Sequence, residues 1–534
     1  MEATKTNRRR FLKTIAAGAA ALALPKSLSL ARRAAGRPNI LFIMADDHAV
    51  NAISCYGSRL RRIAKTPNID RIAAEGARLL NCFCTNSICV PSRATILTGQ
   101  YSHVNGVYTL ADKLDPERQN VAKLLQAAGY QTALLGKWHL KTDPTGFDHW
   151  NILPGQGRYH NPVMREKPLE EDNDKEEDRN EGNKPEKEKK PGTKTHEGFS
   201  TDVITDLSLD WLKKRDKDKP FFLMTHFKNS HGPWHFAERH ADLYKDVEIP
   251  EPESLWEDLK HRSPGSKEYG YTISGIQLER MQKENYPTGP LDTTDMDQRQ
   301  KTKATYQKYL KDYLRCVAAI DENVGKLLDF LREEKLEENT VVIYTSDQGL
   351  FLGEHGYIDK RWMFEESLKM PFLIRYPGEI RPGTVSDDII INADFAPTFL
   401  DYARARIPSD MQGRSLRPNL QGQTPDDWRT SMYYRYWQHC SRPAHYGIRT
   451  KRYKLIFFYG LGLDMKGAEK KPTKPGVELY DLMRDPFELN NVYDHPAYAN
   501  VVKRLKTQLK DKKAELGDTD EKYPEMLELV EKYW

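Results

Sequence analysis

Asn39-Ile40-Leu41-Phe42-Ile43-Met44-Ala45, closed by Asp46-Asp47-His48, is the stretch on which the fold of this chain turns. A continuous apolar run with no polar alternation reads as a strand buried on both faces, as inside a parallel sheet. It stops at two carboxylates. In open α/β sheets ligands sit beyond the carboxyl ends of the strands, so Asp46 and Asp47 stand where a site is expected. Three other runs repeat the pattern. Residues 131–135 lead to Gly136-Lys137-Trp138-His139, residues 221–225 deliver Lys228-Asn229-Ser230-His231, and residues 340–345 end at Ser346-Asp347-Gln348-Gly349. Helical spacing intervenes: Thr66-Pro67-Asn68-Ile69-Asp70 starts one helix, residues 120–128 form another, and 302–332 form a long one. The alternation predicts an α/β fold, a central mostly parallel sheet flanked by helices.

Beyond residue 422 the pattern changes. Segments 431–437, 445–450, 453–458 and 477–480 are short, aromatic and separated by turns, predicting a smaller antiparallel sheet closed by a helix over 498–516. The expected division is a leader over 1–35, a catalytic domain over 36–422 and a C-terminal subdomain over 423–534. Residues 165–190 are dense in charge and almost free of apolar side chains, which predicts a disordered surface insertion. The length of 534 residues exceeds what one growing core supports. A net charge of +5 is small for that length and gives no reason to invoke nucleic acid. Six cysteines in so long a chain do not make a disulfide scaffold.

Asn7-Arg8-Arg9-Arg10-Phe11-Leu12-Lys13 precedes an Ala-rich apolar run over 15–24. It resembles a twin-arginine signal, too short to span a bilayer. No later segment is long and apolar enough to do so. The expectation is export by the twin-arginine (Tat) machinery to the periplasm or beyond. That route moves folded proteins, so any modification is installed in the cytoplasm first.

Asp46, Asp47 and Asp347 with the amide oxygen of Gln348 make an oxygen-rich donor set suited to a hard divalent cation such as Ca²⁺. Lys137 and His139, two apart on an extended backbone, share a face and aim two nitrogen groups at one site. Cys89-Val90-Pro91-Ser92-Arg93, running through Ala94-Thr95-Ile96-Leu97 to Thr98-Gly99, adds a cysteine, with Arg93 four residues on at a helix start and Ser92 expected to cap that helix or bond nearby.

The Cys89–Gly99 stretch resembles the modification site of the sulfatase family, in which the cysteine is oxidised to formylglycine. Gly129-Tyr130-Gln131-Thr132 followed by Gly136-Lys137-Trp138-His139 is similar to that family's second signature. The resemblance implies an alkaline-phosphatase-like core, a formylglycine nucleophile at Cys89, and Ca²⁺ held by Asp46, Asp47, Asp347, Gln348 and the modified Cys89. It also implies a cytoplasmic formylglycine-generating enzyme as partner. Arg93 then steadies the formylglycine oxygen, Lys137 binds sulfate, and His139 holds a formylglycine hydroxyl. His231 or Lys360 protonates the leaving alcohol, and Lys228 is a further sulfate contact. Lys360 comes from Gly353-Glu354-His355-Gly356-Tyr357-Ile358-Asp359-Lys360-Arg361, in which His355 is either functional or structural. The run Asp359 to Ser367 and His445-Tyr446-Gly447-Ile448-Arg449-Thr450 look most like bacterial N-acetylglucosamine-6-sulfatases and mucin- or heparan-desulfating enzymes. His445, Arg435 and Tyr436 line the sugar pocket on this reading or pack within the aromatic sheet. Three other functions fit: a sulfatase of another sugar, such as a uronate 2-sulfate or an algal glycan; a phosphonate or phosphate diester hydrolase of the same superfamily; and a non-catalytic glycan binder in which Cys89 stays a thiol.

Overall fold

The computed structural model describes residues 36–168 and 192–534. The leader over 1–35 and most of the charged insertion lie outside the described residues. Asn39–Ala45 occupies the middle of an eleven-stranded sheet, parallel to Phe221–His226 on one side and Thr340–Ser346 on the other. Gln131–Lys137 follows beyond Phe221–His226, and His149–Leu153 beyond that, both parallel. All seven residues of Asn39–Ala45 are buried, as the unbroken apolar run requires.

The five central strands run parallel, as expected, and the sheet becomes mixed towards its edges. Phe372–Arg375 pairs antiparallel with both Thr340–Ser346 and Ala77–Phe83. At the other edge Val163–Glu166 pairs antiparallel with His149–Leu153 and with Thr193–Thr195. Arg165 and Glu166 therefore belong to a strand, against the expectation of disorder from 165; residues 169–190 lie outside the described residues. Arg165 lays its guanidinium 5.7 Å from the centre of the Trp150 ring, which gives a charged segment apolar surface to cover.

Helices cover both faces. Pro67–Ala74 buries Ile69, Ile72 and Ala73. Gln298–Glu333 starts four residues before the expected 302, because Asp297 and Gln300 form a reciprocal capping box that satisfies its first N–H groups. No helix among the described residues is long and apolar enough to cross a membrane. The C-terminal strands Ser431–Tyr436, His445–Thr450, Tyr453–Phe458 and Gly476–Asp481 form a four-stranded antiparallel sheet. Ala499–Leu516 packs on it as expected, and a further helix, Pro524–Tyr533, follows. The aromatic faces of this sheet share one core with Phe83, Ile88, Phe351, Trp362 and Phe364. The loop that carries Lys360 is thereby held between the two sheets.

Candidate active site

Three central strands end side by side. Asp46 and Asp47 follow Asn39–Ala45, Asp347 and Gln348 follow Thr340–Ser346, and Lys137 is the last residue of Gln131–Lys137. Asp47 adopts a left-handed backbone, φ 61°, held because Tyr313 donates to its carbonyl at 3.0 Å while the next N–H, that of His48, is bonded to Ser346 Oγ at 2.8 Å. That turn directs two adjacent carboxyl groups into the same space.

Cys89 is the first residue of the helix Cys89–Thr98, and the helix starts beneath those strand ends. Its Sγ lies 3.6 Å from Asp46 Oδ1 and 3.5 Å from Gln348 Nε2. Arg93, one helical turn on, donates from Nε to Asp347 Oδ2 at 2.9 Å and from Nη1 to the Lys137 carbonyl at 2.7 Å. Its Nη2 approaches Asp46 Oδ1 at 3.5 Å. Ser92 does not cap the helix. It lies inside the first turn and donates its hydroxyl to the Asp347 carbonyl, tying helix to strand end.

Lys137 pairs with Asp46 and also donates to Gln156 Oε1 at 2.5 Å; Lys360 pairs with Asp47 at 2.5 Å. The charge balance is tight. Burial works to raise Asp46, but Lys137, His231, Arg93 and Lys360 together hold it well below the usual carboxylate range. Burial, reinforced by Asp46, pushes Asp347 up to about 7 despite Arg93. Burial pushes the Cys89 thiol up to about 12, so the unmodified side chain is a neutral thiol and a poor nucleophile.

The donor set fits a hard cation. Ligand atoms of Asp46, Asp47 and Cys89 lie within 4.8 Å of one another. Gln348 Oε1 is buried with no hydrogen-bond partner among the described residues. An orphaned amide oxygen beside three carboxylates is the chemistry that an oxygen-seeking divalent ion satisfies.

His231 lies at the opposite side of the pair of acids, Nε2 3.8 Å from Asp47 Oδ2. Its Nδ1 donates to the Gly232 carbonyl at 2.6 Å, and burial together with Lys360 and Lys137 takes the ring well below its ordinary pKa. Burial and then Lys137 pull His139 down to about 2. The strand alternation expected for His139 does not hold, because the strand stops at Lys137 and His139 takes φ 64° in the loop. Lys228 is buried, with its ammonium 4.7 Å from the centre of the Tyr159 ring.

Asp47, His231 and Lys360 open onto a cavity of about 490 Å³. Its far wall comes from Tyr271, Gln277, Arg280, Lys283 and Tyr286, and its rim includes Asp359, Arg361 and Cys440. Sequence reasoning missed that wall, because residues 271–287 have neither strand nor regular helix periodicity. Gln156 was also missed as a partner of Lys137, although it sits in a Leu-Pro-Gly-Gln-Gly turn whose glycines mark it out.

His445 is not brought to the cavity. It is fully buried, stacked with Tyr434 at 5.4 Å and Trp362 at 6.0 Å, and bonded through Nδ1 to the Pro443 carbonyl. Arg435 pairs with Asp518 at 2.6 Å, away from the acids. Both therefore pack the aromatic sheet, as does Tyr436. His355 is also internal, 2.6 Å from Glu257 and with its ring centre 5.2 Å from that of Phe364.

A family model described as Sulfatase matches residues 38–405, and one described as N-sulphoglucosamine sulphohydrolase, C-terminal, matches 353–515. An N-acetylglucosamine-6-O-sulfatase of Bacteroides thetaiotaomicron is 40% identical, covering 94% of this chain and 90% of its own. The solved structure of BT4656 in complex with its substrate D-glucosamine-2-N,6-O-disulfate superposes with a TM-score of 0.80 at 38% identity, covering 91% of this chain and 99% of that one. A phosphonate monoester hydrolase of Agrobacterium radiobacter, 21% identical with a TM-score of 0.66 over 90% of this chain and 96% of its own, shares the fold alone. Similarity sustained from the first strand through the C-terminal sheet, over the same strand ends that gather Cys89 and the acids, makes this chain a member of the sulfatase family of sulfuric ester hydrolases.

Proposed function

We propose that the chain hydrolyses the 6-O-sulfate ester of an N-substituted glucosamine, in a glycosaminoglycan or mucin glycan. The observation that carries this reading is Cys89, set at a helix N-terminus against Asp46 and Gln348 and beside the cavity that Lys360 and His231 enter. The sugar comes from the 40% identical N-acetylglucosamine-6-O-sulfatase and from the substrate bound to BT4656.

Oxidised to formylglycine by a cytoplasmic enzyme, Cys89 would supply a hydrated aldehyde as nucleophile. Ca²⁺ held by Asp46, Asp47, Asp347 and Gln348 would neutralise sulfuryl oxygens as a Lewis acid. The remaining roles belong to the chain's own side chains. Arg93, fixed by Asp347 and the Lys137 carbonyl, offsets negative charge at the nucleophile. Lys137 and His139 border the sulfate on the strand side. Lys360 and His231 flank the leaving oxygen from the cavity. Lys360 is the one that carries a proton in this geometry: burial opposes its charge, but Asp47 and Asp359 hold it above its ordinary pKa. His231 Nε2 is the lone-pair face of a neutral ring, suited to receive the leaving hydroxyl's hydrogen bond. Residues 1–35 are proposed to export the folded, modified enzyme by the twin-arginine route to the periplasm or beyond.

The test is a panel of 6-O-, 4-O- and 2-O-sulfated monosaccharides and an aryl phosphonate, with mass spectrometry of the Cys89 peptide from the native host. We expect turnover of 6-O-sulfated glucosamines and a peptide about 18 Da lighter than the cysteine form. Failure on every 6-O-sulfated amino sugar rejects the substrate. Faster turnover of the phosphonate moves the assignment to that chemistry. An unshifted peptide in an inactive protein leaves a glycan binder.

A further inference from the structure

A second cavity, of about 430 Å³, lies where the two sheets meet, and Leu350 is the one lining residue it shares with the catalytic cavity. Glu365, Glu366 and Lys369 reach it from the segment after the Lys360 loop, and Arg449 and Lys451 from the C-terminal sheet and its second turn. Both acids already have cations. Glu365 takes Arg449 at 3.1 Å and Lys454 at 3.0 Å, and Glu366 faces His355 at 3.7 Å. Lys451 pairs with Asp387 at 2.9 Å. Lys369 is the exception. It is half-buried on the cavity wall, and its ammonium makes neither an ion pair nor a hydrogen bond among the described residues. Burial pulls it below its ordinary pKa; Glu365 opposes that shift, and Arg449 and Lys454 add to it. A cation stripped of water beside two others, with no acid of its own, is stabilised by an anion brought from outside.

The rest of the wall is largely apolar. Leu80, Leu350, Leu482 and Pro486 line it, and Phe487 stands at its edge, 42% exposed. The turn that carries Phe487 is pinned at both ends, by Asp481 to Arg452 at 2.8 Å and by Glu488 to Lys454 at 2.7 Å. The exposed ring is therefore fixed in place. Single apolar side chains on a surface are ordinary, but this one shares a cavity with an unmatched cation, which makes the recess amphipathic.

We propose that this recess binds a small organic monoanion, an acid group on an apolar body, with the acid group at Lys369 and the body against Phe487, Pro486 and Leu482. One unmatched cation calls for one negative charge, and Glu365 and Glu366 repel a second. The volume is that of a small-molecule pocket, and the apolar wall has no use for a polyhydroxylated sugar. The ligand is thus of a different class from the substrate of the catalytic cavity.

The test is isothermal titration calorimetry of the whole protein with 4-phenylbutanoate, 4-phenylbutanamide and 4-phenylbutylamine, which share one apolar body. The acid is expected to bind about tenfold more tightly than the amide, and the amine more weakly than either. Added salt narrows that margin. Lys369→Met keeps the apolar stem and abolishes the margin, while Lys369→Arg retains it. Phe487→Ser weakens acid and amide alike by about tenfold. Both side chains reach solvent, so the variants melt within about 2 °C of the wild type. Equal affinity for acid and amide overturns the proposal, as does a margin that survives Lys369→Met, which would put the acid elsewhere on the protein. Failure of the acid to bind at millimolar concentration overturns it as well.

Discussion

Arg93 makes contacts that a lysine does not reproduce. One guanidinium ties Asp347 Oδ2, the Lys137 carbonyl and the neighbourhood of Asp46, so a single side chain sets the spacing of three strand ends. Arg93→Lys keeps the charge and loses the fork. We expect kcat/KM to fall about 100-fold, with formylglycine content unchanged, as checked by steady-state kinetics and peptide mass. At this scale much was legible. Helical spacing already set Arg93 one turn from Cys89, and acids closing apolar runs marked the strand ends. His139 was legible as a neighbour but for the wrong reason, since a left-handed residue after the strand, not alternation within it, brings it close. His445 was not legible. An aromatic sheet and a sugar pocket use the same residue types, and only full burial among Tyr434, Trp362 and Phe458 separates them.

The element that matters most is the loop from Gly353 to Phe364, because it delivers Lys360. His355 anchors it. The ring is 2.6 Å from Glu257, 3.7 Å from Glu366 and 2.7 Å from an Arg262 nitrogen. Burial and Arg262 oppose its charge, but Glu257 and Glu366 outweigh them and raise it to about 9. A histidine whose folded pKa lies above the unfolded value of about 6.5 stabilises fully below that value and loses the contribution as pH rises through the folded one. The window is therefore pH 6.5 to 9, and the contribution is on the order of 3 kcal/mol. His355→Gln should lower Tm at pH 6 and lose that deficit by pH 9.5, as followed by thermal melts across the range. A deficit independent of pH would mean that only packing was lost. The edge strands were the illegible elements. Arg165 and Glu166 open a tract read as disordered from its charge, and their order comes from the pairing of Val163–Glu166 with His149–Leu153, which local pattern does not reveal.

Across the whole molecule the two sheets are joined by a buried ionic network as well as by aromatic packing. Lys454, from the C-terminal sheet, lies 3.0 Å from Glu365 and 2.7 Å from Glu488, and Arg449 reaches Glu365 at 3.1 Å. Glu365 opens the short helix just after the Lys360 loop, so the network fixes the small sheet against the active-site side of the large one. Lys454→Met strands Glu488, leaves Glu365 to Arg449 alone, and should cost about 3–5 kcal/mol, as measured by denaturant unfolding. Adding Glu488→Gln should restore part of the loss, because burial and Glu365 already hold Glu488 at about 7, the weaker acid of the pair. By itself the sequence determined the central strands that carry the site and most of the residues that meet at their ends. Periodicity and turn chemistry are local, and an unbroken apolar run has few other ways to be buried. Tertiary structure alone decided which partners each charge finds, that His445 is core, and that residues 271–287 complete the cavity. Ion pairs and cavity walls form between segments hundreds of residues apart, and burial there depends on packing that no local pattern encodes.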